Sequence, residues 1–268
     1  RWVDFDSPHG PVQALPLEAI HAVPNPSGLL HLAFLTRDKV EALGWQCYVD
    51  CNRGITAHIA RVLKDWPMLP VVITSSGAAA ALDGQPPDLE GNPYATLKQE
   101  EEQLLEQQSA TRMAVVFRVY AASGRFMSRP EKFALGDFLL QAMRGEAVQI
   151  RSCCEVVRSY VPIGTMMQLV WALLKGGTPA GLHRVDACTV TTSLRELAQR
   201  ISEHYGLPVG PDVVDTARPP DRYSADPAEF LSWLSRNGLA ADTLLDQIEE
   251  TALGLAQHAG PTAATRLI

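Results

Sequence analysis

A run of apolar, mostly β-branched residues that ends abruptly in two serines constrains the fold of this chain more than any other feature. Residues 71–76 read Val-Val-Ile-Thr-Ser-Ser. An unbroken run of this kind is typical of a strand buried on both faces, and such strands occur in parallel sheets that are covered by helices. Ser75 and Ser76 are therefore expected where this strand ends and a loop begins.

Strand-like and helix-like segments alternate on both sides of this run. Strands are predicted at residues 29–35, 69–75, 113–120, 149–151 and 183–187. Helices are predicted within residues 40–63 and at residues 94–108, 134–144, 165–174, 194–205, 227–239 and 241–257. This alternation predicts an α/β fold, a Rossmann-like doubly wound parallel sheet with helices on both faces.

The helix predicted at residues 94–108 carries a possible proton-transfer pair. Pro93 precedes its first turn, and Tyr94 and Lys98 stand at i and i+4 on one face. Tyrosine is a poor base at neutral pH because its pKa is about 10, and an ammonium one turn away lowers that pKa. The alternative is an amphipathic helix with a buried tyrosine and an exposed lysine. The glutamates and glutamines that follow are interpreted as the solvated face of the helix.

Composition argues against several classes of protein. The net charge is −7, from 23 Lys and Arg against 30 Asp and Glu, so a nucleic-acid surface is not expected. No apolar run reaches the roughly 18 residues that cross a bilayer, and no signal peptide is recognised. The cysteines follow no zinc spacing, and their odd number, 5, argues against a disulfide framework. We therefore expect no metal site, no membrane contact and a cytoplasmic location.

Ser76, Tyr94 and Lys98 together resemble the Ser-Tyr-Lys triad of the extended short-chain dehydrogenase/reductase family, in its NAD-dependent nucleotide-sugar epimerase/dehydratase branch. Further segments resemble motifs of that family, in the same order along the chain. They are residues 29–33 (similar to His-Leu-Ala-Ala), Asn52 with Thr56 (Asn-xxx-Thr), residues 115–120 (a strand ending in Arg-x-Phe-Asn), residues 158–161 (Arg-Asp/Ser-Phe/Tyr-Val) and residues 218–221 (Arg-Pro-Gly-Asp).

The resemblance implies an NAD- or NADP-dependent epimerase or ketoreductase that acts on a nucleotide-activated sugar, as in polysaccharide biosynthesis, and works as a homodimer. In this family Tyr94 would exchange the proton, Lys98 would lower the tyrosine pKa and contact the nicotinamide ribose, and Ser76, for which Ser75 competes, would hold the substrate oxygen. The residues implied in cofactor binding are Asp4, His31, Ala33, Asn52, Tyr94 and Lys98. Those implied in substrate binding are Ser76 and two arginines that would hold the diphosphate, Arg158 and Arg218.

The family pattern also implies two domains. Residues 1–122, with about residues 158–190, match the dinucleotide-binding Rossmann-like domain. Residues 123–157 and 191–260 match a small substrate-binding subdomain, and residues 261–268 are expected to form a tail.

The sequence departs from the family at its beginning. The glycine-rich turn Gly-x-x-Gly-x-x-Gly, whose backbone amides hold the pyrophosphate, is not found before residue 29. Two explanations are open: the sequence lacks roughly 50 residues of a longer chain, or this is a homologue without the cofactor cradle. The first is expected, because a sheet without its first strand would expose a long unpaired edge.

Two other departures affect the chemistry. In the family's 4,6-dehydratases an Asp-Glu pair follows the strand-tip hydroxyl residue, whereas Gly77 and Ala78 follow Ser76 here. Elimination of water by that route therefore has no evident acid or base. Ala121 replaces the asparagine that usually contacts the substrate phosphates. The remaining alternatives are a nucleotide-sugar dehydratase and a non-catalytic homologue that acts as a binding or regulatory module.

Overall fold

The structure is a computed structural model and describes residues 5–7, 10–210, 215 and 217–258. Its strands are β1 (Phe5–Ser7), β2 (Gly10–Val12), β3 (Leu29–His31), β4 (Val71–Ser76), β5 (Met113–Val119), β6 (Ala121–Ser123), β7 (Val156–Pro162), β8 (Gly181–Ala187), β9 (Val190–Ser193) and β10 (Asp221–Tyr223). Its α-helices are α1 (Lys39–Leu43), α2 (Trp45–Asp65), α3 (Gly77–Ala80), α4 (Pro93–Gln107), α5 (Ala134–Met143), α6 (Ile163–Leu174), α7 (Leu194–Tyr205), α8 (Ala228–Arg236) and α9 (Leu244–His258). Two 3₁₀ helices span Leu17–Ala22 and Pro130–Lys132.

The chain divides into two compact units. The first runs to Phe117 and includes Leu173–Arg184, and the second comprises Arg118–Ala172 and the residues from Val185 onward. The functions implied for the two domains by the family resemblance stay a prediction.

The first unit is built on a four-stranded sheet in the order β3-β4-β5-β8. Strands β3 and β4 are parallel, with Leu29 opposite Val71 and His31 opposite Ile73. Val71, Val72 and Ile73 are almost completely buried. Ile59 and Leu63 of α2 and Leu105 of α4 pack with them in one apolar cluster. The prediction of a buried parallel strand at residues 71–76 is therefore confirmed.

The second unit is built around β7, which pairs in parallel with β6 and β10 and antiparallel with β9. Its core joins Phe138 of α5, Leu197 and Ile201 of α7, Ile248 of α9 and Tyr160 of β7. The antiparallel β9 makes this sheet mixed, whereas the helices on it follow the predicted α/β pattern.

Local sequence signals place several element ends correctly. Helix α7 spans the predicted residues, because the Ser193 side chain accepts a hydrogen bond from the Glu196 backbone N–H and Gly206 follows in the left-handed region at φ 64°. The strand predicted at residues 149–151 is wrong, since that region forms only an isolated bridge between Val148 and Val209. Strand β3 ends at His31, four residues earlier than predicted. Beyond it, the Leu35 backbone is bonded to the side chain of Asn52 instead of to a neighbouring strand.

Candidate active site

Helix α4 presents the Tyr94 and Lys98 pair in the first unit. Asn92 caps the helix by accepting a hydrogen bond from the Ala95 backbone N–H at 3.4 Å, and Pro93 occupies the first turn. Tyr94 is half-buried and Lys98 is only 4% exposed. The alternative interpretation is an ordinary amphipathic helix that leaves the lysine exposed to water. The burial of Lys98 shows that this expectation is wrong.

Lys98 is held by three neighbours. Its Nζ donates to the backbone carbonyl of Thr74 at 2.8 Å and to Glu101 Oε2 at 3.0 Å, and it lies 3.7 Å from the centroid of the Phe34 ring. Burial lowers the pKa of Lys98, and the carboxylate of Glu101 opposes that shift. Because Thr74 stands two residues before Ser76, the lysine fastens α4 to the end of β4 where the predicted catalytic serine lies.

The ring of Phe34 covers this pair of residues. Its centroid lies 5.7 Å from that of Tyr94 in an edge-to-face arrangement, and the ammonium of Lys98 lies over its face. Residues 31–34 read His-Leu-Ala-Phe, whereas the family motif that they resemble ends in a second alanine. Phe34 is not among the site residues predicted from the sequence, although this departure from the motif is the signal that indicates it.

The two serines at the end of β4 have different partners. Ser75 Oγ donates to Glu102 Oε1 at 2.5 Å, so its hydroxyl is committed to a buried carboxylate. Ser76 Oγ accepts from the Ala78 backbone N–H at 3.2 Å, at the N-cap of α3. Both side chains are 4% exposed. Ser75 is thus bonded to a buried carboxylate and Ser76 caps α3, and the choice of Ser76 as the residue that meets a substrate oxygen stays a prediction.

The prediction that the acidic run in α4 forms a solvated face is wrong for two of its members. Glu101 is 3% exposed and Glu102 is 1% exposed, whereas Glu100 pairs with Arg53 at the surface. Glu102 lies between Ser75 and Arg184, whose Nε donates to it at 3.1 Å. This partner lies 82 positions away along the chain, so no local periodicity could have indicated a buried ion pair here.

Glu101 connects three motifs that the sequence analysis treated separately. Its Oε1 lies 2.8 Å from His31 Nε2 and accepts a bond of 3.4 Å from Thr56 Oγ1, and its Oε2 bonds Lys98. Burial raises the pKa of the Glu101 carboxyl, but His31 and Lys98 outweigh burial and hold that pKa below its usual value.

Three of the other residues predicted to bind a cofactor, His31, Ala33 and Asn52, lie near the end of β3. His31 is buried against Glu101, and Ala33 is exposed just beyond the strand. Asn52 is fully buried, and its Oδ1 accepts from the Leu35 backbone N–H at 2.8 Å, so it shapes the segment that carries Ala33 and Phe34. Asp4 lies outside the described residues.

Arg158 lies in β7, in the second unit. Its Nη2 contacts Asp221 Oδ2 at 2.6 Å, and its Nη1 donates to the backbone carbonyls of Val157 and Asp221. The side chain is 24% exposed. Its hydrogen bonds to the protein hold the planar donor group in a fixed direction, and its role toward a substrate diphosphate stays a prediction.

Arg218, in the same unit, lines a cavity of about 250 Å³. Its Nη1 donates to Cys153 Sγ at 2.9 Å, and its Nε lies 3.5 Å from Asp215 Oδ2. The same cavity is lined by Ser193 and Arg195 at the N-terminus of α7. Arg195 was not singled out from the sequence because a helix surface is an ordinary place for an arginine, and only the cavity shows that it shares a space with Arg218.

The described part of the chain contains no group of three or more His, Cys, Asp or Glu side chains that could hold a metal ion. Within the same residues, no helix combines the length and the apolar character needed to cross a membrane.

The fold is similar to that of solved structures at low sequence identity. No protein-family model and no curated protein matches the sequence. Among solved structures, MoeE5 in complex with UDP-glucose and NAD is 17% identical with a TM-score of 0.67, over 96% of this chain and 89% of that chain. UDP-glucose 4-epimerase from Thermotoga maritima, with UDP-glucose, is 16% identical with a TM-score of 0.65, over 91% and 81% of the two chains. RMD from Pseudomonas aeruginosa, complexed with NADPH, is 18% identical with a TM-score of 0.62, over 86% and 82%.

These likenesses run through most of each chain at low sequence identity, so they bear on the architecture. They agree with the parallel strands and flanking helices described above. The chain therefore has the Rossmann-like α/β fold that its sequence predicts.

Proposed function

We propose that this protein is an NAD(P)-dependent epimerase or ketoreductase that acts on a nucleotide-activated sugar. One observation carries the proposal: Tyr94 and Lys98 stand one turn apart on α4, and Lys98 is bonded to the carbonyl of Thr74, two residues before Ser76. The bond from Lys98 to Thr74 joins the helix that carries the tyrosine and the buried cation to the C-terminal end of the parallel strand that carries the serine. In α/β folds this is the edge where ligands bind. MoeE5 and RMD, which share the fold, are complexed with NAD and NADPH.

The proposed mechanism assigns one task to each residue. Tyr94 in its phenolate form takes the proton from a sugar hydroxyl. In the reverse direction the protonated Tyr94 returns that proton to the sugar oxygen. The ammonium of Lys98 stabilises that phenolate because it is held in a buried site where charges interact strongly. Ser76 donates a hydrogen bond to the same sugar oxygen and keeps it in line with Tyr94.

The end of β3 fits a nicotinamide dinucleotide in part. Ala33 is exposed and has the smallest side chain that carries a Cβ, so a ligand can approach the backbone there. Ala33, Asn52, Tyr94 and Lys98 would hold the cofactor, with His31 behind them. When bound, the cofactor accepts or supplies the hydride at the sugar carbon. Phe34 lies over Lys98, so its ring has to turn before the ammonium can reach a ribose.

The finer assignment stays open between the related reactions. An epimerase and a ketoreductase need the same protein groups. A dehydratase needs an acid and a base after the strand tip, and the residues after Ser76 are Gly77 and Ala78. We also propose a cytoplasmic homodimer. Of the leucines on α4, Leu97 and Leu105 are buried within their own unit, so a dimer contact of this helix would have to use other side chains.

A second candidate function is a non-catalytic binding or regulatory module, and Phe34 is the observation that favours it. All three directions of the Lys98 ammonium are occupied by Thr74, Glu101 and the Phe34 ring. A ring that permanently covered Lys98 would exclude the cofactor ribose.

Titration of the full-length protein with NADH and NADPH, followed by nicotinamide fluorescence, separates the two candidates. We expect saturable binding of one of them. Phe34→Ala should then bind about fivefold more tightly, since the cation–π contact that is given up amounts to about 1 kcal/mol. Phe126→Ala removes a ring that is 85% exposed in the other unit and should bind like the wild type. If neither the wild type nor Phe34→Ala binds a nicotinamide nucleotide, the catalytic proposal is wrong.

Arg218 and Arg158 are proposed to hold the diphosphate of the substrate. Arg218→Ala should weaken binding of a nucleoside diphosphate by about 2 kcal/mol, or about thirtyfold, because one charge-assisted hydrogen-bonding group is lost. Binding of the free sugar should not change. The matched control is Arg144→Ala, whose guanidinium pairs with Glu146 at the surface of the same unit. Isothermal titration calorimetry with UDP measures both variants, and equal affinity of Arg218→Ala and the wild type would remove Arg218 from the site.

A further inference from the structure

Glu101 contacts the side chain of the candidate active-site lysine, Lys98. Its two carboxylate oxygens divide their partners, with Oε1 facing His31 of β3 and Thr56 of α2, and Oε2 facing Lys98 of its own helix. The carboxylate is 3% exposed, so water does not screen these contacts. A single side chain thus connects Lys98 to two neighbouring elements of the unit.

The burial of Lys98 makes such a partner necessary. A lysine that is 4% exposed loses most of its hydration, which favours the neutral amine. The Thr74 carbonyl and the Phe34 ring provide only partial charges, whereas Glu101 provides a full negative charge at 3.0 Å. Other titratable groups near this pair include His31 on β3, Tyr48 on α2 and Glu102 on α4, with Asp38 acting on Tyr48. Burial and the proximity of Tyr94 raise the pKa of Tyr48 to about 12, so Tyr48 stays neutral near pH 7.

We propose that Glu101 is a positioning residue of this active site, which keeps Lys98 in its ammonium form beside Tyr94 and fixes its direction through His31 and Thr56. The inference rests on the proposed function, because it assigns to Glu101 the regulation of the same proton-transfer pair. It differs from a purely structural role in its effect on charge. Removing the negative charge of Glu101 lowers the pKa of Lys98, so that the ammonium releases its proton more readily.

The test compares Glu101→Gln with Glu100→Gln. Glutamine keeps the shape and hydrogen-bonding reach of Glu101 and removes its charge, and Glu100 is the adjacent carboxylate that pairs with Arg53 at the surface. We expect the alkaline limb of the pH profile of kcat/KM, where Lys98 loses its proton, to move to lower pH by about one unit in Glu101→Gln. At a fixed pH on the alkaline limb this is about a tenfold loss of rate. Glu100→Gln should keep the wild-type profile. If Glu101→Gln lowers the maximum of kcat/KM but leaves the pH positions of the limbs unchanged, the role of Glu101 is structural only.

A second readout needs no turnover and no cofactor. The ionisation of Tyr94 is followed by the ultraviolet absorbance of tyrosinate, as the difference between each protein and the same protein carrying Tyr94→Phe. We expect Tyr94 to ionise at higher pH in Glu101→Gln than in the wild type, because a Lys98 that has lost its proton no longer lowers the tyrosine pKa. This shift would be seen even if Tyr94 proved not to be the acid/base, so failure of the proposed function and failure of this inference are told apart.

Lysine-selective NMR of the wild type covers the case in which Glu101→Gln does not fold. The Nζ signal of Lys98, assigned by its loss in Lys98→Met, should be that of a charged ammonium at pH 7 with slowed hydrogen exchange. A neutral amine at that pH would overturn the inference.

Discussion

Replacing Tyr94 by phenylalanine is expected to lower kcat by about 10²–10⁴-fold, because the substitution removes only the hydroxyl that carries the proton. The ring stays in place, so its edge-to-face contact with Phe34 and the capped start of α4 are retained. Circular dichroism and nucleotide affinity should therefore stay close to those of the wild type. The measurement is steady-state turnover of UDP-glucose and related nucleotide sugars with NAD and NADPH.

A matched variant separates the loss of a proton carrier from the loss of any buried hydroxyl. Tyr205 is a tyrosine of the second unit whose buried hydroxyl has no hydrogen-bond partner among the described residues. Tyr205→Phe should keep the wild-type rate. A Tyr94→Phe enzyme that retains turnover within about tenfold of the wild type would exclude Tyr94 as the acid or base, since such groups contribute more than that.

Replacing Glu102 by alanine is expected to lower the free energy of unfolding by about 3 kcal/mol, the lower end of the cost of breaking a buried ion pair. The carboxylate is 1% exposed and accepts bonds from Ser75 Oγ at 2.5 Å and Arg184 Nε at 3.1 Å. Without it, the Ser75 hydroxyl loses its bond inside the protein. The value lies at the lower end because Arg184 is one-third exposed and keeps Glu106 as a second partner.

Glu106→Ala is the control for this prediction, because Glu106 binds the same arginine at 2.8 Å but is 57% exposed. Its loss should cost less than about 1 kcal/mol, as for other surface pairs. Urea unfolding followed by circular dichroism measures both variants from their midpoints and slopes. Equal destabilisation by the two substitutions would show that burial of Glu102 is not what makes it important for stability.

The elements that the sequence predicts well are those whose signals are local. The apolar run of β4 and the Asn92-Pro93 start of α4 lie within a few residues of what they determine, and the cap residues Ser193 and Gly206 fix both ends of α7. The candidate triad follows from such signals, because Ser76 ends one element and Tyr94 and Lys98 open the other. The short strand predicted at residues 149–151 does not form. The β propensity of three residues is small, so the tertiary contacts of this segment determine its conformation.

What the sequence by itself determined is therefore the α/β fold class, the β4 strand and the spacing of Tyr94 and Lys98 on one helical face. The tertiary structure alone decided which carboxylates are buried, that Ser75 bonds one of them, and that the Phe34 ring covers Lys98. Glu101 meets His31 across 70 positions and Glu102 meets Arg184 across 82. A charged residue is stable inside a protein only where the fold brings a partner to it, and a pattern within one helix contains no information about a partner on a distant strand.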